Sequence, residues 1–269
     1  MGLIGERFAS LRARGERALI PFLTAGDPDL ATTESLVLAL VQAGADLIEI
    51  GIPFSDPLGD GPVIQRANER ALGSGSSLRR VLELVKTLRP RVEVPLVLMG
   101  YTNPILAMGE NRFAEAASAV GVDGVIVIDL PPEEGETLFG ALAGAGVDAV
   151  LLAAPTTQPQ RLAMLAERTR GFLYYVSLTG VTGARSELAG GIEESVRRIR
   201  ASRDVPVCVG FGVSTPEHAR EVGRFADGVV VGSALIEVIQ RAKPGPAALD
   251  AAARFVAGLK APLRAPAPG

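Results

Sequence analysis

Residues 46–62 read DLIEIGIPFSDPLGDGP. Leu47, Ile48, Ile50 and Ile52 make a short apolar run closed by Pro53 and Pro57, the pattern of a buried strand entering a loop. Glu49 stands inside that run. A carboxylate without a partner is costly to bury, so a chain that keeps one near a strand end marks a candidate site. Asp56 and Asp60 follow in a Gly/Pro-rich loop able to fold back over the strand. Two carboxylates converging on one cleft are the usual equipment for moving protons.

The entry into this strand recurs along the chain. AGADLIEI (43–50), VGVDGVIVI (120–128), AGVDAVLLA (145–153) and FADGVVVG (225–232) each bring a helix end into an aspartate and then an apolar strand. Glycine suits the left-handed cap that ends a helix. Eight strands are expected, at 18–23, 47–50, 96–99, 125–128, 147–152, 172–176, 207–209 and 228–231. Most are continuous apolar runs, as parallel strands covered on both faces should be. Helical patterns lie between them, at 30–43, 63–72, 78–88, 113–120, 160–168 and 193–200. Alternation of this kind implies βαβ units. The expected fold is α/β, a single (β/α)8 TIM barrel spanning 1–260 with an extra N-terminal helix plugging its bottom; a doubly wound open sheet is the alternative. Residues 261–269, rich in Pro and Ala, are expected to form a disordered tail.

Composition excludes several classes. A hydrophobic share of 48% over 269 residues supplies a large core, and a net charge of −3 gives no footprint for nucleic acid. One cysteine, Cys208, rules out an internal disulfide and suits a reducing compartment. No run approaches the ~18 apolar residues of a membrane span, so a soluble, cytoplasmic protein is expected. The one histidine, His218, sits in an early turn of a polar helix, which excludes a Ser-His-Asp triad or a multi-histidine metal site.

Barrel logic turns position in sequence into position in space, because functional groups gather at the C-terminal strand ends. Glu49, Asp60 and Asp129 would then share one mouth. Glycine-bearing segments GVTGA (180–184), GFG (210–212) and Gly232-Ser233 follow the last three strands. Late barrel strands commonly build a phosphate site from loop N–H groups and a short helix start, which makes a phosphorylated small molecule the leading ligand class. On position alone, Glu49 is as well read as a paired structural carboxylate, Asp60 as the cap of the helix begun by Gly61-Pro62, and Asp56 as a turn residue. Asp129 reads as a support for the site or the cap of the helix after Pro131-Pro132. Tyr174 reads as core or mouth packing, and Cys208 as a small buried residue.

PFLTAGDP (21–28), IEIGIPFSDPLGDGPVIQ (48–65), the GVTG loop and GFGVSTPE (210–217) together resemble the tryptophan synthase alpha subunit family, from about Phe8 to Phe255. The resemblance implies a (β/α)8 barrel that cleaves indole-3-glycerol phosphate to indole and glyceraldehyde 3-phosphate, a carbon–carbon lyase of tryptophan biosynthesis. It implies no metal and no organic cofactor, pyridoxal phosphate being expected only in a partner beta subunit that consumes the indole within an alpha2beta2 complex.

Carried over by position, Glu49 matches the family's general acid–base and Asp60 the second catalytic carboxylate, which stabilises positive charge at the indole nitrogen. Phe22, Met99 and Phe211 match the indole pocket. Tyr174 matches a tyrosine near substrate, Thr182 a loop residue that orients Asp60, and Asp129 a contact with the mobile loops. Gly183, Gly212, Gly232 and Ser233 match the phosphate-binding positions, and Asp56 a contact with the beta subunit. Gly59 stands where alanine is common and is expected to loosen its loop. Ligand-driven closure of 179–191, bringing Thr182 to Asp60, is expected to exclude water, and the beta subunit to speed the chain by favouring the closed state.

Two other readings have their own requirements. A different phosphate-binding isomerase or decarboxylase would need a catalytic lysine or paired aspartates at strand ends, and Lys86, Lys243 and Lys260 lie in or beside predicted helices. A barrel kept mainly as a regulatory partner would have lost Glu49 or Asp60, and both are present.

Overall fold

A computed structural model describes residues 2–176, 185–210 and 212–264, the side chains of 185–190 and 202 excepted. The chain opens with α1 (Leu3–Ala13), β1 (Ala18–Thr24), α2 (Leu30–Gln42) and β2 (Ile48–Gly51). Next come α3 (Pro62–Gly73), α4 (Leu78–Leu88), β3 (Leu96–Gly100), α5 (Thr102–Met108) and α6 (Glu110–Val120). The middle holds β4 (Gly124–Val127), α7 (Glu136–Gly144), β5 (Asp148–Ala149), β6 (Leu151–Ala153) and α8 (Pro159–Arg168). Then follow β7 (Leu173–Val176), α9 (Arg185–Ser202), β8 (Val207–Gly210) and α10 (Pro216–Gly223). The last elements are β9 (Gly228–Val231), α11 (Ser233–Arg241) and α12 (Pro246–Lys260).

All strand pairs are parallel, in the order β5-β4-β3-β2-β1-β9-β8-β7-β6. The two ends of that order are one piece of chain. The expected fifth strand is split at Val150, where it passes from one neighbour to the other: Asp148 and Ala149 pair with β4, and Leu151 to Ala153 pair with β7. Val150 N–H still donates to Val125 O at 3.0 Å, which keeps the ring continuous across the break. Eight expected strands thus appear as nine segments of a (β/α)8 barrel.

The aspartates of the internal repeat have a common task at the barrel's N-terminal end. Asp46 Oδ2 accepts the Leu19 N–H, Asp123 Oδ2 the Leu96 N–H and Asp227 Oδ2 the Val207 N–H, at 2.8, 2.8 and 2.9 Å. Each aspartate precedes its own strand and satisfies an amide at the first or second residue of a neighbouring one. Asp148 has no such bond among the described contacts.

Side-chain alternation sorts the strands into two packed layers. Leu19, Leu23, Ile48, Ile50, Leu96 and Leu98 face the helices. Ala18, Ile20, Leu47, Val97, Ile126, Val150, Phe172 and Cys208 fill the barrel, and Ile4, Phe8 and Leu11 of α1 join them from below. The expected plug is therefore real: α1 contributes its buried stripe to the interior itself. Phe8 and Phe172 rings pack 5.9 Å apart across that junction.

The first residues of the segment expected to be a disordered tail are ordered. Residues 261–263 form a 3-10 turn, Leu263 is buried, and its carbonyl accepts the Arg17 N–H at 3.0 Å. The Pro/Ala composition concealed one leucine able to dock against Gly223 of α10. Residues 265–269 lie outside the described residues. Among the described residues no helix is long and apolar enough to cross a membrane.

Candidate active site

β2 carries Glu49 into the barrel because Leu47, two residues earlier, already faces inward. In register it lies between Phe22 of β1 and Val97 of β3. Glu49 is 0% exposed, and among the described residues neither of its carboxyl oxygens has a hydrogen-bond partner. Desolvation lifts its pKa to about 8, so at neutral pH the group is mostly the protonated acid. The reading as a paired structural carboxylate does not hold among the described residues, since no arginine or lysine there reaches it.

Asp60 approaches from the loop between β2 and α3. Its side chain is half-buried, and desolvation raises its pKa to about 6 against the lowering effect of bonds from Tyr101 and Asn68. Asn68 Nδ2 donates to Asp60 Oδ2 at 3.3 Å, and Gln65 Nε2 donates to the Asp60 carbonyl at 2.8 Å. These bonds come from the first turns of α3, yet the Asp60 side chain does not cap that helix. Gly61 holds the cap position without a side-chain bond, and Pro62 starts the helix. The carboxylate makes no bond to the helix amides and is held instead by Asn68 and Tyr101.

Tyr101, at the end of β3, was not anticipated as part of this arrangement. Its hydroxyl accepts the Gly59 N–H at 3.0 Å and bonds Asp60, while its ring stacks on Phe54 at 5.2 Å. Burial and the Asp60 charge hold its own pKa far above the usual range, so the hydroxyl stays neutral while it accepts from Gly59 and donates to Asp60. Gly59 has a steric reason to be glycine. A Cβ there would stand 2.8 Å from Ile128 Cγ2 and 3.2 Å from the Tyr101 hydroxyl, so the bare glycine is what admits the close approach.

Tyr174 enters from β7 on the opposite wall. It is buried, and desolvation followed by the charge of Glu49 pushes its pKa well up, which marks the two groups as neighbours. Gly210 on β8 makes room for it: a Cβ would come within 2.6 Å of the Tyr174 hydroxyl. Phe22, with Met99, Val63, Ile64, Ala67 and Ile236, forms a small apolar cluster at the mouth. Its ring lies against both Gly51 and Gly232, where added Cβ atoms would meet it at 2.5 and 3.5 Å. Gly232 precedes Ser233, the first residue of α11, and Gly212 adopts a left-handed φ of 52°.

Other expected residues fall elsewhere. Asp129 is exposed and accepts both the N–H and the hydroxyl of Thr102 at 2.8 Å, so it caps α5 and not the helix after Pro131-Pro132. Asp56 is exposed on the loop, bonded by the Ser55 hydroxyl, beside Leu58 at 92% exposure. Cys208 is buried in the interior, as expected. His218 is half-buried, with Nδ1 3.4 Å from Ser214 Oγ. Thr182, Gly183, Phe211 and residues 179–184 of the expected loop lie outside the described residues, while 185–191 form the start of α9. Among the described residues, no group of three or more His, Cys, Asp or Glu side chains is placed to hold a metal ion.

These features define a (β/α)8 barrel whose C-terminal mouth holds two carboxyl groups displaced from the ordinary carboxylate range, an apolar shelf and a helix start. The sequence matches the model of the family described as "Tryptophan synthase alpha chain" over residues 8–261. It is 54% identical over 260 residues to the tryptophan synthase alpha chain of Geobacter sp. (strain M21), covering 97% of each. With that of Laribacter hongkongensis (strain HLHK9) the identity is 50% over 266 residues, 98% of this chain and 100% of the relative. The fold superposes on the crystal structure of tryptophan synthase subunit alpha from Legionella pneumophila str. Paris with a TM-score of 0.90, at 39% identity and 98% coverage of both chains. The chain belongs to the tryptophan synthase alpha chain family.

Proposed function

We infer that this chain is the lyase of tryptophan biosynthesis that cleaves indole-3-glycerol phosphate to indole and D-glyceraldehyde 3-phosphate. Family membership carries the reaction, and one observation carries the assignment of the acid: Glu49 is fully buried, unpaired and held protonated near neutrality.

Cleavage needs a proton at indole C3 and loss of the proton from the side-chain hydroxyl adjacent to the breaking bond. Protonated Glu49 delivers the first, leaving positive charge on the ring nitrogen, which ionised Asp60 stabilises. Glu49, now a carboxylate, takes the hydroxyl proton as the carbon–carbon bond breaks. Its electrons restore the indole ring, and the aldehyde forms. The acid returns to its starting state, so one group serves both steps and no net proton is consumed.

Phe22 and Met99 supply the shelf for the indole ring, Tyr174 packs beside Glu49, and Gly232, Ser233 and Gly212 with Gly183 receive the phosphate. Anion binding at the start of α11 draws on its unpaired N–H groups. The proton chemistry in this reading is carried by side chains alone. Pyridoxal phosphate belongs to a beta subunit that takes up the indole, with the loop bearing Asp56 and the exposed Leu58 as docking surface. A single buried cysteine suits a reducing compartment such as the cytoplasm.

The test is release of glyceraldehyde 3-phosphate from indole-3-glycerol phosphate by the purified chain, with and without a beta subunit, beside Glu49→Gln. Activity in the parent and near-complete loss in the folded variant are expected. Activity that survives the substitution would remove Glu49 from the proton chemistry.

A further inference from the structure

Among the described residues only two side chains hold buried oxygen atoms without any hydrogen-bond partner: Glu49 and Thr24. The mechanism uses the first and leaves the second unexplained. Thr24 is 3% exposed and ends β1. Its inward direction follows from alternation, since Ala18 and Ile20 of the same set pack inside the barrel while Leu19 and Leu23 pack against the helices. Phe22 pairs with Glu49, and Thr24 pairs with Gly51 one step nearer the mouth. The hydroxyl therefore stands one layer above the acid, beside Gly51, whose missing side chain leaves room for the Phe22 ring of the apolar shelf.

Topology gives this hydroxyl its neighbours on either side. β1 lies between β2, which carries Glu49, and β9, which runs into Gly232 and Ser233. The glyceryl chain of the substrate joins the indole to the phosphate and must cross from one to the other over β1. We propose that Thr24 is a substrate-contacting residue whose hydroxyl hydrogen-bonds a hydroxyl group of that glyceryl chain. The inference rests on the lyase reading above. It also accounts for a buried hydroxyl to which no described residue offers a partner, because folding then tolerates a desolvated group whose partner comes from the substrate.

The proposal separates from a packing role by giving activity and stability opposite signs. Thr24→Val keeps the shape and removes the orphaned oxygen, so it melts no lower than the parent. Its KM for indole-3-glycerol phosphate rises about tenfold, the loss of one hydrogen bond to a neutral group. Affinity for 3-(indol-3-yl)propyl phosphate, which has the ring and the phosphate but no chain hydroxyls, stays within about twofold of the parent on the same reasoning. Thr24→Ser, which restores a hydroxyl, recovers most of the lost KM.

Unchanged substrate kinetics in Thr24→Val would overturn the contact. So would an equal loss of affinity for the propyl analogue, or a lowered melting midpoint with kinetic loss in proportion, either of which makes Thr24 a packing residue. The parent and Glu49→Gln are assayed in parallel. An active parent with an unaffected valine variant defeats this contact alone, whereas an inactive parent defeats the lyase reading and the contact together.

Discussion

Burial without a partner sets the chemistry of Glu49, and the same burial has a consequence for stability. Its folded pKa of about 8 lies above the ordinary value of 4.5, so the native state holds a proton that the unfolded state has released between those limits. Stability then falls as pH rises from about 4.5 to about 8, by up to on the order of 4 kcal/mol. Glu49→Gln removes this proton linkage, and its denaturation midpoint should be flatter than the parent's between pH 5 and 8. A parallel pair of curves would show that Glu49 is ionised in the free protein.

In the proposed reaction Asp60 works in the opposite sense, because there it is the ionised form that stabilises the ring cation. The rate should rise through about pH 6 as Asp60 ionises and fall through about pH 8 as Glu49 loses its proton. Tyr101→Phe removes a bond that favours ionised Asp60, so the acidic limb of kcat/KM moves to higher pH while the alkaline limb stays. An acidic limb that does not move would exclude Tyr101 as the group that positions Asp60.

Single elements depend on contacts made at the other end of the barrel from the chemistry. Lys260, the last residue of α12, is almost fully buried and ties three segments together. Its Nζ reaches Asp46 Oδ2 at 2.8 Å, the Arg17 carbonyl at 2.9 Å and Glu16 Oε2 at 3.2 Å. Asp46 in turn holds the Leu19 amide, so the C-terminal helix is pinned to the start of β1. Lys260→Ala leaves Asp46 charged and uncompensated, and a loss of about 3–5 kcal/mol in denaturant unfolding is expected. Removing residues 261–269 takes away the buried Leu263 and the acceptor for the Arg17 N–H, and should cost about 2–3 kcal/mol. An unchanged midpoint in the truncated chain would restore the view of that segment as an idle tail.

For the molecule as a whole, the exposed loop between β2 and α3 faces two ways. Its inner side holds Asp60, and its outer side presents Leu58 and Asp56. Leu58→Asp should leave the fold and melting midpoint of the isolated chain unchanged while weakening association with a beta subunit at least tenfold in a titration, on the order of the apolar area lost. Undiminished association would move the interface elsewhere.

The strand pattern, the barrel and the positions of Glu49 and Asp60 could be read from residues because they depend on local periodicity and on strand order. Glu49 stands out as a carboxyl in an apolar strand whatever its surroundings. What the linear pattern concealed were pairings between distant segments. The repeated aspartates were visible as a motif, but that Asp46, Asp123 and Asp227 serve a neighbouring strand's amide depends on which strands become neighbours. Asp129 looked like a cap for the helix nearest in sequence and instead caps α5, brought beside it by the β3–β4 pairing. Lys260 counted only as a helical lysine until the closed barrel buried it against Asp46.

By itself the sequence determined the fold class, the family and the two carboxyl groups, because apolar runs, turn residues and an exact loop motif are local properties. Tertiary structure alone decided their protonation, since the absence of any partner for Glu49 and the donors around Asp60 exist only once eight strands have closed into a ring. It also decided that Thr24, an unremarked residue ending a strand, is buried with its hydroxyl unanswered, because desolvation is a property of the surroundings and not of the residue.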